Sequence, residues 1–594
     1  MGLVLYAWQA AVFARSSTPD LDEGAYLYKG LLFITQGHRP FETFGVQTNK
    51  APLAFLIPGV VQAIFGPGLA TGRGLAVFFG ILNLAAVWGT ARRLGGGWQA
   101  ALAVWALALS PSIIKIYSAG VTQSSVAFFM AIILALSLGE KRPLWQLILA
   151  GALAGAVIMV RQNMLITLPL LALYIGWQHG WKPALYAGLA GAAVLVVFHL
   201  LYWPYIMQLW TPWMPARLAS LFTAYSPSLR GVASWDPHID WLGRALSFFQ
   251  GLRFHFAAMT GLGLGVLLWP RRAAWASDAH FRAAVFLAVL FAGLLLMHSW
   301  ASISNDYCVF CFTPYVAFFS NVAILFAVIA LGALERNAHP WRQALVALLA
   351  LAVFTGIGFS AVEEVGDELL ALSVPRVRDG QLQPGFTTLW DVISNKFNPG
   401  RNTAEKLVST AAGALLGALF LLFSFLIRRW KFPRINFGYL LAVSLFISGL
   451  LLSPLLAGSA GRPDCNGMDA IAANEQVGRH LAEVIPPGSR VYWNGGLSVA
   501  PLLYAPQIAI YLPQINDGYA YRIGGDAQEL LKYGFWNDSL ADQWKQEADY
   551  IIVEGWRYPK MKPDLPESVF VELPRFRVQT SCIEGSDLRI FQRK

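Results

Sequence analysis

Three features of the sequence predict a polytopic α-helical membrane protein that carries an α/β domain at its C-terminal end. Hydrophobic residues make up 56% of the 594 and charged residues only 13%, where a soluble domain carries about 25% charged residues. The apolar residues come in long unbroken runs, which suits membrane helices and not the two-residue alternation of a membrane barrel. The acids are segregated, with about half of the 34 Asp and Glu falling after residue 460. Residues 1–460 are therefore expected to be membrane-embedded and residues 461–594 to form a soluble domain. This composition excludes an ordinary soluble enzyme and a disordered chain, and the 4 cysteines exclude a disulfide-dense secreted scaffold. The net charge of +10 does not point to nucleic acid, because much of the basic excess sits in short clusters between apolar runs.

The runs lie near 2–14, 69–91, 98–114, 120–139, 144–160, 164–178, 184–203, 254–269, 283–302, 309–333, 343–361, 407–427 and 437–457. They make about thirteen candidate spans, some shorter than the ~20 residues that a bilayer asks for. Basic residues mark every second gap: Arg92-Arg93, Lys141-Arg142, Lys182, Arg271-Arg272, Arg336 with Arg342, and Arg428-Arg429-Trp430-Lys431. The positive-inside rule makes these short gaps cytoplasmic. The long segments 15–68, 204–253 and 362–406 then face outward, and an odd number of spans puts the C-terminal domain outward too. The first run is short, about 20 Å as a helix, which predicts a basic leader ahead of it.

Beyond 460, an amphipathic helix over 467–484 is followed by a Pro-Pro-Gly-Ser turn and a strand RVYWNG. Helices near 525–534 and 538–547 and strands DYIIVEG, VFVEL and LRIFQR complete an α/β pattern. Cys465 and Cys582 bracket nearly all of this domain, and an outward compartment is oxidising, so they are expected to pair.

Almost no ionisable residue lies inside the spans, whereas transporters usually place theirs at the midplane. The polar chemistry gathers at outer span ends and in outer loops, as in a membrane-embedded active site that opens outward. The first outer loop is the richest. Asp20, Asp22 and Glu23 follow the first run, then an amphipathic stretch from Tyr26 to Ile34, then Gly37, Pro40 and Asn49-Lys50-Ala51-Pro52. A carboxylate at the membrane surface can take a proton from an acceptor hydroxyl. A lysine returning to that surface can hold a phosphate as a point charge. The same acids also read as solvated loop residues, and both readings stay open on sequence alone.

On Asp22-Glu23, Tyr26, Gly37, Pro40 and Lys50-Ala51-Pro52, the loop resembles the GT-C superfamily, above all its protein O-mannosyltransferase and aminoarabinose transferase branch. The resemblance implies a polytopic GT-C bundle, a sugar donor linked to polyprenyl phosphate, a first-loop Asp as catalytic base and basic residues on the lipid phosphate. It implies catalysis by Asp22 with Glu23, and, together with position at the outer membrane surface, it makes Lys50, Arg161, Asp20, Tyr26, Lys115 and Asp306 the candidate substrate-binding residues. Apart from the resemblance, no cofactor or metal is expected, because the single C-x-x-C has no second pair and no HExxH appears. The partners the resemblance implies are the lipid-linked sugar and a lipid, glycan or protein acceptor, not nucleic acid. Two departures stand out: Ala51 replaces the first Pro of a Lys-Pro-Pro element, and Thr122-Gln123 stand where many relatives carry an acid.

Each remaining outer group has a second reading. Arg161, with Gln162 and Asn163, is either a phosphate ligand or a snorkelling loop arginine. Lys115 has the same two readings. Asp306, near His298 and Asn305, reads as an acceptor-side acid or a helix cap. Arg230, Asp236, His238 and Asp240 lie among aromatics that suit an interfacial belt. Cys308 and Cys311, without a second pair, read as small buried residues and not as a zinc site. A transporter or lipid flippase, and an inactive GT-C relative, are the two alternatives to a working transferase.

Overall fold

The computed structural model describes residues 1–41, 51–211, 214–225, 233–234, 239–303, 312–333, 340–378, 380–383, 385–429, 463–465, 467–496 and 498–594. The apolar runs up to 427 fall on helices, while the last run, 437–457, lies outside the described residues. The first ten helices are α1 (Gly2–Ser16), α2 (Leu21–Thr35), α3 (Leu53–Phe65), α4 (Leu69–Gly95), α5 (Gly97–Ala108), α6 (Pro111–Tyr117), α7 (Thr122–Ser137), α8 (Leu144–Val160), α9 (Thr167–His179) and α10 (Trp181–Tyr202). Then come α11 (Trp241–Phe254), α12 (Phe256–Leu267), α13 (Asp278–Ile303), α14 (Ser320–Ala333), α15 (Pro340–Ser360), α16 (Val362–Leu370), α17 (Leu389–Phe397) and α18 (Arg401–Arg429).

Among the described residues, four helices are long and apolar enough to cross a membrane: Leu69–Gly95, Trp181–Tyr202, Asp278–Ser299 and Arg401–Ile427. A fifth would be α15 with α16, bent by 81° at their junction. Other runs form helices of 10–17 residues. The difference from about thirteen unbroken spans has a backbone cause. A run of apolar residues reports composition, but proline and glycine still stop helices inside it. The 98–114 run, for example, breaks between α5 and α6 where Pro111 begins a new first turn.

The bundle packs through its small residues. A Cβ on Gly151 or Gly155 of α8 would meet the carbonyl oxygens of Ala187 or Gly191 on α10 at 2.0 and 2.4 Å. This small-x-x-x-small pairing lets two apolar helices approach at backbone distance, where dispersion replaces a hydrophobic drive.

The loops sort onto two faces. On one, Arg93 donates to Ala135 O at 2.9 Å, Arg142 reaches the same carbonyl, Arg282 donates to Trp177 O at 2.9 Å, and Arg342 donates to Trp269 O at 3.0 Å. Basic side chains there meet the carbonyl ends of apolar helices, which they also favour electrostatically. On the opposite face, the segments 15–68 and 204–253 meet the C-terminal residues. Cys465 N donates to Ser16 O at 2.9 Å, Gln36 Nε2 to Pro506 O at 2.7 Å, and Ala233–Ser234 pair with Arg522–Ile523.

A hairpin of β1 (Arg376–Arg378) and β2 (Gln381–Gln383) precedes α17. The C-terminal residues build a five-stranded sheet from β3 (Arg490–Asn494), β4 (Ala509–Ile510), β5 (Tyr550–Glu554), β6 (Phe570–Glu572) and β7 (Leu588–Arg593), in the order β4-β3-β5-β7-β6. The pairs β3–β4 and β3–β5 are parallel, and β7 is antiparallel to both β5 and β6. The flanking helices are α19 (Ala470–Val484), α20 (Ala527–Lys532) and α21 (Asp538–Glu547). Each begins with an Asp or Asn whose side chain accepts a backbone N–H of the first turn. All five residues of β5 are buried, as expected of a central strand.

One hydrophobic core joins this sheet to the first loop. Leu27, Leu31 and Phe55 of α2 and α3 pack in the same cluster as Leu481, Leu503 and Ile552. Gly24 sits so close to the segment after β3 that a Cβ would lie 2.4 Å from Ser498 Oγ. The acid-bearing helix is thus backed by the C-terminal sheet and not by lipid.

Cys465 and Cys582 form a disulfide across 117 residues, with Cα atoms 5.3 Å apart. Because it closes so long a loop, reducing it is expected to cost up to ~4–5 kcal/mol in the chain-entropy account. Peptide mapping without reductant should recover the two cysteine peptides joined. Two free thiols in protein purified from its own membrane would contradict the pairing.

Candidate active site

The first turn of α2 decides where the acids point. Asp20 is its N-cap, with Oδ1 accepting Glu23 N–H at 2.7 Å. Asp-x-x-Glu ahead of an apolar stretch is a helix-start signal, so the acids lie at a helix N-terminus and the helix begins before the expected Tyr26. Negative charge there also suits the helix dipole. Neighbouring positions on a helix diverge by about 100°. Asp22 accordingly stays exposed while Glu23 is fully buried.

Glu23 is committed to the scaffold. Its two carboxylate oxygens accept Arg73 Nε at 2.8 Å and Nη2 at 2.7 Å, and Oε1 also takes Gly120 N–H at 2.6 Å. Arg73, on α4, adds Nη1 bonds to Ala14 O at 2.6 Å and Ser17 O at 2.9 Å. One closed pair therefore pins the end of α1, the start of α2, α4 and the turn before α7. Expected from sequence as a partner in catalysis, Glu23 here has a positioning part, because its oxygens are saturated away from solvent.

Asp22 heads a different face. Tyr26 and Lys29 follow at spacings of four and seven, which stack on one side of a helix. Tyr26 is buried and its hydroxyl accepts Arg161 Nη1 at 2.9 Å. Arg161 is the C-cap of α8; it reaches Thr122 Oγ1 at 3.4 Å and lies over Phe318 at 4.8 Å. Asp22 acts on Arg161 electrostatically, so acid and guanidinium share one neighbourhood. Among the described residues, no carboxylate is hydrogen-bonded to Arg161. Lys29 is fully buried, its ammonium 4.5 Å from the Phe55 ring centre. Sequence reading passed over Lys29 as one residue of an amphipathic stretch. The available signal was its seven-residue spacing from Asp22.

Lys115 lies apart from this group. It pairs with Asp464 at 2.8 Å, both side chains part-exposed. Such a surface pair is worth at most about 1 kcal/mol, and it sits beside the Cys465 tether. Gln123, in the first turn of α7, is buried with its Oε1 unpartnered among the described residues. Lys50 and Asp306, with Asn305, Cys308, Cys311, Arg230, Asp236 and His238, lie outside the described residues.

Loss of surrounding water, and then the negative charges of Glu23 and Asp22, push the Asp20 carboxyl up to about 7. The folded state therefore holds this proton more tightly than an unfolded chain would. Asp20's contribution to stability is full below pH ~4 and is lost as pH rises through about 7. Asn caps helices as well as Asp, so Asp20→Asn should keep the fold and flatten the decline of melting temperature between those limits. An unchanged slope would contradict the shift.

Residues 49–203 match the family model of dolichyl-phosphate-mannose-protein mannosyltransferases. Two solved structures of ArnT from Cupriavidus metallidurans share the fold along nearly the whole chain. The one bound to undecaprenyl phosphate superposes with a TM-score of 0.51 at 14% identity, covering 99% of this chain and 96% of that one. The apo form gives 0.50 at 14% identity with the same coverage. No curated protein matches the chain in sequence.

Proposed function

We propose that this chain, which resembles the GT-C superfamily of polyprenyl-phosphate-dependent glycosyltransferases in its fold and in residues 49–203, is a membrane glycosyltransferase. It moves a sugar from a polyprenyl-phosphate donor to an acceptor on the outer face, in one inverting displacement. Residues 1–460 form the membrane-embedded catalytic domain with about thirteen spans, and 461–594 an outward α/β domain. The face that gathers the arginine–carbonyl contacts is then cytoplasmic, and the face that gathers the C-terminal sheet is outward.

One observation carries the chemistry: exposed Asp22 stands on the same face of α2 as Tyr26, and Tyr26 holds Arg161. Asp22 takes the proton of the acceptor as its oxygen or nitrogen attacks the anomeric carbon. The leaving group is a phosphate that needs no protonation, so one carboxylate suffices where glycoside hydrolysis uses two. Arg161 and Lys50 hold the phosphate by charge. With neutral Thr122 at 3.4 Å and no carboxylate bonded to it among the described residues, Arg161 keeps donors for an anion. Glu23 and Arg73 fix the helix that aims Asp22, and Lys115 secures the sheet.

Arg161→Ala in purified full-chain protein is expected to weaken undecaprenyl phosphate binding roughly 10- to 100-fold, the value of a charge-assisted hydrogen bond. Native mass spectrometry in nanodiscs reads this directly. Undiminished binding would remove Arg161 from the phosphate site.

A further inference from the structure

On the face opposite the C-terminal sheet, three arginines from separate parts of the chain gather without a counter-charge. Arg93 ends α4, Arg142 lies between α7 and α8, and Arg282 stands in the second turn of α13. Arg93 Nη2 and Arg142 Nη2 both donate to Ala135 O, at the carbonyl end of α7. A Cβ on Gly139 would lie 3.7 Å from Arg93 Nε and 3.8 Å from Arg142 Nε, so both side chains border one turn. Arg282 Nη1 donates to Gln178 Oε1 at 3.4 Å, and Gln178 Nε2 donates to Gly139 O, also at 3.4 Å. The charges of all three arginines act on the hydroxyl of Tyr174, a side chain only 2% exposed.

The positive-inside rule accounts for basic residues in these gaps. It does not account for guanidiniums gathered against one another, where like charges repel. A guanidinium carries five N–H groups. Among the described residues only one nitrogen of each of the three is hydrogen-bonded, and only to neutral oxygens. No carboxylate among those residues pairs with any of them; Asp278, one turn before Arg282, is held by Arg272 at 3.2 Å. Arg93 is exposed and Arg142 and Arg282 are half-buried, so the cluster is open at the surface.

We propose that this cluster binds a phosphate group, the chemistry shared by a phospholipid headgroup and a free phosphate, on the face that the proposed topology makes cytoplasmic. The planar fork of arginine matches phosphate oxygens two at a time. The surroundings favour a headgroup. Trp88, Trp177 and Trp181 are exposed at the same helix ends, as in an interfacial belt, and the Arg282 guanidinium lies 5.7 Å from the Trp177 ring centre. Basic pockets between helices on this side of a membrane take anionic headgroups. One phosphate there ties together the ends of α4, α7, α9 and α13. Through α4, which carries Arg73 near its other end, the site supports the scaffold of Glu23 without touching Asp22.

The test is native mass spectrometry of the full chain released from nanodiscs of mixed phosphatidylglycerol and phosphatidylcholine, with melting in detergent against inorganic phosphate beside it. The wild type should retain phosphatidylglycerol over phosphatidylcholine by at least ~10-fold. Arg93→Gln with Arg142→Gln should reduce that preference at least ~5-fold. Arg92→Gln with Lys182→Gln removes the same charge from exposed positions on this face and should change it far less. Arg282→Gln alone should also weaken it, and serves if the Arg93 and Arg142 double variant does not fold. Lipid preference assigns the site to a headgroup. Stabilisation by phosphate that the cluster variants lose, without lipid preference, assigns it to a free anion. Neither effect in the wild type, no loss in the cluster variants, or equal loss in the Arg92 and Lys182 control would overturn the proposal.

Discussion

Asp22→Asn is expected to lower sugar transfer by ~10²–10⁴-fold while the protein stays folded, the range for loss of a general base. Asparagine keeps the shape of aspartate and removes its basicity. The side chain is exposed at the first turn of α2, so the substitution puts no new group into the core. Its neighbours separate the chemistry from the scaffold. Asp20 is the helix cap and Glu23 is enclosed by Arg73, so neither points where Asp22 points. Asp20→Asn should therefore change transfer far less than Asp22→Asn. A well-folded Asp22→Asn protein with near-wild-type transfer would assign the base elsewhere.

Arg73→Leu is expected to destabilise the protein by about 3–5 kcal/mol, as removal of one member of a buried ion pair does. The change leaves Glu23 buried and charged without its bidentate partner, and it strips the Ala14 and Ser17 carbonyls of their donors. Glu23→Gln should cost less, because the amide still offers one oxygen to Arg73 or Gly120. Thermal unfolding in detergent, followed by intrinsic fluorescence, ranks the two. Equal melting temperatures for wild type and Arg73→Leu would show that the pair does not hold α1, α2 and α4 together. Activity should follow stability here, since the pair aims Asp22 without touching substrate.

The architecture was legible in the sequence where physics is local. Apolar runs foretold helices, and the strand and helix pattern after residue 460 foretold the C-terminal sheet. The disulfide was legible because Cys465 and Cys582 are alone in that region. The start of α2 was legible too, since Asp20-x-x-Glu23 is a cap signal, but the acids were read as loop. Long-range pairings were not legible. Arg73 opens an apolar run 50 residues beyond Glu23, where a lone arginine reads as a snorkelling end residue. Lys115 meets Asp464 349 positions away, so its ion pair could not be separated from a phosphate site by spacing. Run length reports composition and not where glycine and proline stop a helix, so by itself it does not separate long spans from the shorter apolar helices among the described residues.

The central claim, that Asp22 activates an acceptor against a polyprenyl-phosphate sugar, is tested most directly by the lipid each protein retains. Wild type and Asp22→Asn are purified from their own membrane, and the co-purified lipid is identified by mass spectrometry. The wild type should carry polyprenyl phosphate without sugar, the product of transfer. Asp22→Asn, which binds donor but cannot discharge it, should carry the glycosylated form. The same lipid on both proteins, or only bulk phospholipid on each, would contradict the account.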